Sequence, residues 1–213
     1  MRWADRVMRS AVNHQHFPTL RNLQSFAARE SLWDMMLEQY VGLDVPITYV
    51  EFGVWKGDSI RYMAGRNLHP DSVFVGLDTF DGLDDEWINI SMKDFSVGGQ
   101  APDLDDDRIT FIKGMFQDTA ASLVEAIQGR DNYLVHFDAD LYSSTLFALT
   151  QLDAHLDSYH AIFDEFHAGE NLALHHYQES YLARTELLGR TDDEAMRVGA
   201  KIVTSSGTER QPS

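Results

Sequence analysis

Two strand-like segments, joined through a glycine-containing turn and a helix, constrain the fold of this 213-residue chain more than any other feature. The first segment, residues 49–52, runs into a turn that contains Gly53 and Gly57, and helical periodicity follows. The second segment, residues 74–77, ends at Asp78, an acid about 20 residues beyond the turn. This arrangement is typical of a pocket for a nucleotide-like cofactor, in which the acid binds ribose hydroxyls.

The composition of the turn narrows the choice of cofactor. It reads E-x-G-x-x-x-G from Glu51, whereas dinucleotide pockets use G-x-G-x-x-G, because a pyrophosphate needs backbone approaching from several sides. A turn with two glycines favours a cofactor without phosphates, and S-adenosylmethionine (SAM) is the common one. The helix that begins near Asp58 and Ser59 offers backbone N–H groups to the methionine carboxylate. A tight strand-to-helix connection without a ligand is the structural alternative, and the position of Asp78 favours the cofactor.

Strand-like and helical patterns alternate along the rest of the chain. Further apolar runs lie at residues 109–112, 133–137, 159–163 and 198–203, and helical stripes separate most of them. Such alternation predicts an α/β fold with a mostly parallel sheet covered by helices on both faces. We predict an N-terminal helical extension or cap over residues 1–46, a cofactor-binding domain over residues 47–213, and a helix over residues 170–188.

The connection after Asp78 is unusually long. Residues 79–108 have weak periodicity but contain Trp87, Phe95 and the pair Gly98 and Gly99. Long loops in compact domains are usually functional or disordered, and this one begins where ligands bind in such sheets. We predict a lid with a hinge at Gly98 and Gly99. A disordered insertion is the alternative, and the two aromatic residues argue against it.

Acids follow four of the predicted parallel strands, and the carboxyl ends of such strands converge on one crevice. The acids in question are Glu51, Asp78, Asp138, Asp140, Asp164 and Glu165. Their mutual repulsion requires a compensating positive charge, which the sulfonium and ammonium of the cofactor would supply. A divalent metal such as Mg²⁺ held by Asp138, Asp164 and Glu165 is the second option. Asp138 is the predicted catalytic or metal-binding carboxylate, and His167 is a further candidate for a general base.

The composition excludes several classes of protein. The net charge is −17, with 34 acids against 17 Lys and Arg, which argues against a nucleic-acid partner. The chain has no cysteine, so a disulfide framework and a cysteine nucleophile are excluded. No apolar run is long enough for a membrane span, and the N-terminus does not read as a secretory signal. We therefore expect a cytoplasmic protein without a membrane partner.

Five stretches of the sequence resemble the macrocin O-methyltransferase-like (TylF/MycF) family of class I SAM-dependent methyltransferases. They are the glycine turn at 49–57, the segment G-L-D-T-F-D-G-L at 76–83, the segment from Phe95 to Thr119 with K-G-M-F-Q-D-T, and the segments H-F-D-A-D-L-Y-S-S-T at 136–145 and I-F-D-E-F at 162–166. The D-x-D-L-Y-x-S-T and K-G-x-F-x-D-T strings are the more specific signals. The resemblance implies a Rossmann-like methyltransferase fold and methylation of a hydroxyl on a small molecule, often a sugar or a natural-product scaffold.

The resemblance also implies roles for individual residues. Those expected to line the cofactor are Glu51, Phe52, Gly53, Gly57, Ser59, Asp78, Thr79, Phe116, Gln117 and Asp138, with Phe116 and Gln117 near the adenine. Asp138, Asp164 and Glu165 match the metal-binding acids of Mg²⁺-dependent members, although Glu165 stands where a second Asp is expected. Because no strand is visible after residues 198–203, where one is expected, the antiparallel end of the sheet is either incomplete or supplied in another way.

The sequence leaves two other functions open, and it does not fix the oligomeric state. A SAM-binding protein without transfer activity would keep the same pocket. An NAD(P)-dependent dehydrogenase would need a richer glycine turn and a catalytic Tyr–Lys or His pair. The N-terminal helices could cover the cofactor or form a homodimer contact.

Overall fold

The computed structural model describes residues 15–82, 96–192 and 196–209. These residues form one sheet of eight strands in the order β1-β7-β8-β6-β5-β2-β3-β4. The strands are β1 (Ser25–Phe26), β2 (Thr48–Phe52), β3 (Val73–Asp78), β4 (Ile109–Lys113), β5 (Tyr133–Phe137), β6 (Ser158–Phe163), β7 (Arg184–Thr191) and β8 (Val198–Val203). All pairings are parallel except those of β8, which runs antiparallel to both β6 and β7.

Helices cover both faces of the sheet, as the alternating pattern predicts. They are α1 (Arg29–Met36), α2 (Asp58–Arg66), α3 (Phe116–Ile127), α4 (Tyr142–Asp153), α5 (Glu170–Tyr181) and the short α6 (Ser205–Glu209). A π-helical turn, Leu37–Val41, extends α1, and 3₁₀ turns lie at Pro18–Asn22 and Phe166–Ala168.

Alternation along the strands divides the core into two layers. Val50 and Phe52 of β2 pack on the side of α3, α4 and α5, whereas Tyr49 packs on the side of α1 and α2. Because side chains point to opposite faces at successive positions, the polar residues Glu51 and His136 also face α1 and α2. Because of this alternation, the side chain of Glu51 lies on the side of the sheet that α1 and α2 cover.

The central strands follow the sequence prediction closely. The strand order reverses between β2 and β5, because the chain builds β3 and β4 on one side of β2 before it returns to β5 on the other. Ligands bind in such sheets at this reversal, beyond the carboxyl ends of the strands. The turns after β2, β3, β5 and β6 are therefore the positions at which a site is expected.

The C-terminal part of the sheet differs from the sequence prediction. The helix predicted over residues 170–188 ends at Tyr181, because Leu182 adopts a left-handed conformation with φ 56°. Residues Arg184–Thr191 then form β7, which pairs with β8. The antiparallel end is thus not missing a strand: the strand expected after residues 198–203 precedes them in the chain.

The predicted N-terminal extension contributes to the sheet as well as to the helices. Ser25 and Phe26 form β1, which pairs with Arg190 and Thr191 of β7. Residues 1–14 of the extension lie outside the described residues. In α1, Trp33 and Met36 are buried against the same sheet face as α2.

The predicted lid is described only at its two ends, residues 79–82 and 96–108. Trp87 and Phe95 lie outside the described residues. Both Gly98 and Gly99 have positive φ, at 73° each, and Gly99 N donates a hydrogen bond to Phe80 O. Across the described ranges, no helix combines the length and the apolar character that a membrane crossing requires.

Candidate active site

A cleft of about 260 Å³ opens at the carboxyl ends of β2, β3 and β5, where the strand order reverses. Its lining includes residues from each of the turns after β2, β3, β4, β5 and β6. The residues are Arg29, Gly53, Val54, Trp55, Asp78, Thr79, Gly82, Gly114, Met115, Phe116, Gln117, Asp138, Ala139, Asp140, Ser144, Asp164 and Glu165. The strand ends therefore bring most of the predicted site residues to one place.

Gly53 is required where the turns after β2 and β5 touch. Its φ is +93°, and a Cβ atom at this position would lie 2.0 Å from the carbonyl oxygen of Asp138. Only glycine lets the two backbones approach this closely. The predicted importance of Gly53 thus has a geometric basis, because it lets the turns after β2 and β5 meet at the cleft.

Asp78 fastens the turn after β2 to the end of β3. Its Oδ2 accepts hydrogen bonds from the backbone N–H groups of Val54 (2.8 Å) and Trp55 (2.9 Å), and its Oδ1 accepts one from Phe80 N (2.8 Å). The carboxylate lines the cleft at the same time. An acid in this position both orders the turn and presents oxygen acceptors to a bound ligand.

The other predicted cofactor residues divide into two groups. Thr79, Phe116, Gln117 and Asp138 line the cleft along with Gly53 and Asp78. Phe52 is buried beneath the site and supports Phe116 edge-on at a centroid distance of 5.2 Å. Glu51, Gly57 and Ser59 are absent from the lining of the cleft in the described residues.

Glu51 points away from the cleft because it faces α2. It is fully buried, accepts a hydrogen bond from Ser59 Oγ, and lies opposite His136 in the β2–β5 register. Burial raises the pKa of Glu51 to about 7, against the opposing charge of His136. In this structure Glu51 and Ser59 tie the start of α2 to the sheet.

Four acids from the turns after β5 and β6 share the cleft: Asp138, Asp140, Asp164 and Glu165. Burial, followed by the charge of Asp164, raises the pKa of Asp138 well above its usual value. Burial, followed by the charges of Glu165 and Asp164, raises the pKa of Asp140 to about 7. Asp140 also has a left-handed backbone, with φ 57°. A carboxylate with this pKa in a cleft is suited to accept a proton near neutral pH.

His136 lies beneath these acids and is completely buried. Its Nδ1 shares a hydrogen bond of 2.8 Å with Tyr49 Oη and lies 3.7 Å from Glu51 Oε1, and its Nε2 lies 3.4 Å from Asp164 Oδ1. Burial alone would lower the pKa of His136, but Asp164 and the charge of Glu51 outweigh it and raise the pKa.

Asp164 differs from Asp138 and Asp140 because its pKa is lowered and not raised. Its Oδ1 accepts a hydrogen bond of 2.8 Å from Arg197 Nε, in an ion pair that is mostly buried. Burial would raise the pKa of Asp164, but His136 and Arg197 outweigh it and lower the pKa to about 2. This ion pair connects the turn after β6 to the start of β8.

The predicted magnesium ligands only partly come together. The ligand atoms that lie within 4.8 Å of one another in the described residues belong to His136, Asp138 and Asp164, and Glu165 is not one of them. Mg²⁺ prefers oxygen ligands, whereas this group includes an imidazole, and one of its two carboxylates already pairs with Arg197. The residues present therefore do not fit a magnesium site made of three carboxylates.

Several cleft residues were missed by the sequence reasoning. Arg29, at the start of α1, is the one Lys or Arg among the lining residues of the described chain, and its guanidinium lies 4.8 Å from the ring of Trp33. Trp55 and Met115 are exposed by 37% and 50%, respectively. No motif marks Arg29, because it reaches the cleft from a helix that precedes β2.

Two residues near the acids lie outside the cleft lining. His167, the further candidate for a general base, is half-buried in the 3₁₀ turn Phe166–Ala168. It is not among the described lining residues of the cleft. Glu170 is fully buried at the start of α5, and burial, followed by the charge of Asp138, raises its pKa well above the usual value. Its Oε2 accepts a hydrogen bond from Glu165 N at 3.0 Å, which fixes the turn after β6.

Comparison with known protein families decides the class of protein. The profile of the TylF macrocin-O-methyltransferase family matches residues 27–187, most of the chain. The chain belongs to this family. Family membership makes the protein a methyltransferase, so the dehydrogenase alternative is set aside. A search of curated proteins found no match.

Solved structures support the Rossmann-like methyltransferase fold. The calicheamicin methyltransferase CalS11 is 22% identical, with a TM-score of 0.58 over 94% of this chain and 91% of the other. The O-methyltransferase NovP is 21% identical, with a TM-score of 0.56 over 80% and 76%. TomG from Streptomyces achromogenes, an O-methyltransferase involved in tomaymycin synthesis and solved in complex with SAM, is 14% identical, with a TM-score of 0.52 over 96% and 90%.

Proposed function

We propose that the protein transfers a methyl group from SAM to a hydroxyl of a small molecule, either a sugar or a natural-product scaffold. The observation that carries this proposal is the convergence of Gly53, Asp78 and Phe116 on one cleft at the strand reversal. Family membership and the small-molecule chemistry of CalS11 and TomG support it. The specific acceptor is not part of the proposal.

The residues of the cleft fit SAM. The turn at Gly53 lines the cleft, and Asp78 offers carboxylate oxygens to ribose hydroxyls. Phe116 and Gln117, at the start of α3, are placed to contact the adenine. The surrounding acids suit the cationic sulfonium and ammonium. When bound, SAM supplies an electrophilic methyl group.

Arg29 is the proposed partner of the methionine carboxylate. It is the basic side chain among the cleft residues that the structure describes, and that carboxylate is the anionic group of SAM. Its guanidinium is oriented by Glu30, whose Oε1 accepts a hydrogen bond of 3.1 Å from Nε, and by the ring of Trp33. Arg29 thereby links α1 to cofactor binding.

Asp140 is the proposed general base. It lines the cleft, and its pKa of about 7 leaves a large fraction ionised near neutral pH while it still accepts protons readily. In this role Asp140 accepts the proton from the acceptor hydroxyl, and Asp138, two residues earlier, orients that hydroxyl. The position of Asp140 favours it over His167, which remains an untested prediction.

The remaining expectations from the sequence are part of the proposal without further support. We expect a small-molecule acceptor, no nucleic-acid partner and a cytoplasmic location, and a homodimer is one possible assembly. Magnesium assistance, predicted from Asp138, Asp164 and Glu165, is left out of the proposal. The donor set described above does not favour it.

A two-stage experiment tests the proposal. Isothermal titration with SAM and S-adenosylhomocysteine (SAH) is carried out on the wild type, on Asp78→Ala, and on Asp71→Ala as a matched control at an exposed acid. We expect binding to the wild type and the control, and an affinity at least tenfold weaker for Asp78→Ala. This variant loses both the acceptor for the ribose hydroxyls and the hydrogen bonds that order the turn after β2.

The second stage measures SAH release and a methyl mass increment with a panel of nucleoside-diphosphate sugars and glycosylated aglycones. Binding of SAM without transfer to any hydroxyl acceptor would favour the SAM-binding protein that lacks activity. Absence of binding to both SAM and SAH would refute the proposed function.

A further inference from the structure

Arg197 places a fixed positive charge inside the acid cluster. Its Nε donates a hydrogen bond of 2.8 Å to Asp164 Oδ1, and the two side chains are exposed by only 15% and 8%. The backbone of Arg197 is held from both sides by Thr191: Arg197 N donates to Thr191 Oγ1, and Thr191 N donates to Arg197 O, each at 2.9 Å. The backbone of Arg197 is therefore fixed where β7 and β8 pair, and its guanidinium is held by Asp164.

The position of this charge matters because Asp138 and Asp164 lie close together. Carboxylate oxygens of the two residues are within 4.8 Å of each other, a distance at which two negative charges repel strongly in a partly buried site. A divalent cation bound by both would relieve the repulsion. It would also lie next to the guanidinium of Arg197, which already uses Asp164 Oδ1, and the two cations would repel each other.

We propose that Arg197 is a positioning residue that takes the place of a metal ion: its ion pair with Asp164 holds the turn after β6 and neutralises the cluster without a divalent cation. Where the proposal concerns catalysis it rests on the proposed methyl transfer, and where it concerns metal binding it does not. It predicts that the protein binds Mg²⁺ weakly and works without it.

The direct test is metal binding. EDTA-treated and desalted wild type, Arg197→Met, and Arg184→Met as a control at an exposed arginine of β7 are titrated with MgCl₂ and MnCl₂ by calorimetry. We expect no saturable binding below about 1 mM for the wild type and the control, and at least tenfold tighter Mn²⁺ binding for Arg197→Met, in which Asp138 and Asp164 are freed for a cation. Circular dichroism confirms that each variant is folded.

Two results would overturn the proposal. One is wild-type binding of either metal well below 1 mM that Asp164→Asn abolishes. The other is unchanged metal affinity in a folded Arg197→Met. If Arg197→Met does not fold, the wild-type titration still tests the proposal. Arg197→Lys tests it as well, because it keeps the charge and is expected to bind metal as the wild type does.

A kinetic test uses the acceptor found in the panel. Wild type is expected to keep its kcat within twofold in EDTA, whereas Arg197→Met is expected to lose at least tenfold in kcat with little change in KM for SAM and to regain part of the loss with Mn²⁺. Loss of wild-type activity in EDTA, restored by Mg²⁺, would overturn the proposal while leaving methyl transfer intact. Absence of SAM and SAH binding would instead refute the proposed function.

Discussion

Replacement of Asp140 by asparagine should separate stability from activity. Asp140 is partly enclosed by the cleft, and its pKa is raised from 3.8 to about 7. Its backbone φ of 57° lies in the left-handed region, which asparagine adopts more readily than most residues, so the substitution adds little backbone strain. Asp140→Asn therefore removes a charge with little other change.

The sign and size of the stability effect follow from the pKa. Because the folded-state pKa exceeds that of the unfolded chain, the folded state binds the proton more tightly. The contribution of Asp140 to stability is greatest when it is protonated, falls as pH rises from about 4 to 7, and stays unfavourable above 7. The difference between 3.8 and about 7 corresponds to about 4 kcal/mol.

Contact of Asp140 with solvent should reduce its unfavourable contribution to folding by about half, to ~2 kcal/mol at pH 8.5 and ~1 kcal/mol at pH 5.5. Asp140→Asn should thus be more stable than wild type, with a Tm increase of about 4–8 °C at pH 8.5 and about half that at pH 5.5. Thermal unfolding at both pH values measures this, with Asp105→Asn, at an exposed acid, as the control.

The same substitution should abolish catalysis. Loss of a general base lowers kcat by about 10²–10⁴-fold, while the affinity for SAH should change less than twofold because Asp140 is not assigned to the cofactor. Two outcomes would refute the reasoning. The first is a variant that is no more stable than wild type at pH 8.5. The second is one that retains more than a tenth of kcat.

Two further predictions follow from the charges of the cleft. Arg29→Gln should weaken SAM binding by about 10–100-fold, because a charge-assisted hydrogen bond to the methionine carboxylate is lost. The control ligand 5′-methylthioadenosine lacks that carboxylate and should bind as before. Equal weakening for both ligands in calorimetry would contradict the assignment of Arg29. SAM binding at pH 7 should release about half a proton more than SAH binding, because the sulfonium, placed among the cleft acids, lowers the raised pKa of Asp140. Titration in buffers of different ionisation enthalpy measures the release, and equal values for SAM and SAH would contradict a sulfonium beside these acids.

The parallel core of the fold could be predicted from the sequence because its strands are buried on both faces. The segment Thr48–Phe52 is buried at every position, and β3, β5 and β6 are nearly so, so each reads as a continuous apolar run. Strand order and the position of the cleft then follow from the connections between them.

The end of the sheet could not be predicted for the opposite reason. In β7, burial alternates irregularly, with a register shift between Leu187 and Gly189, and its leucines continue the helical pattern of α5. The helix ends at Tyr181 and is followed by Leu182 in a left-handed conformation, although this position usually carries glycine. Pairing with β8 and β1 makes this segment a strand, and local sequence does not reveal those partners.

The acidic residues of the site could be predicted from the sequence, whereas the arginines near them could not. Asp78, Asp138, Asp140, Asp164 and Glu165 each follow a buried strand, so the carboxyl ends of the strands bring them together. Glu51 belongs to the strand itself, and its position one residue before Phe52 turns it toward α2.

The cations, in contrast, come from segments far away in the chain. Arg29 reaches the cleft from α1, before β2, and Arg197 reaches Asp164 from the start of β8. The number of carboxyl groups therefore overstates the negative charge of the site. Asp164 is ionised but paired, whereas burial raises the pKa values of Asp138 and Glu170 well above their usual range. A site of this kind can enclose several acids, because an internal arginine pairs with one carboxylate and burial favours the protonated form of others.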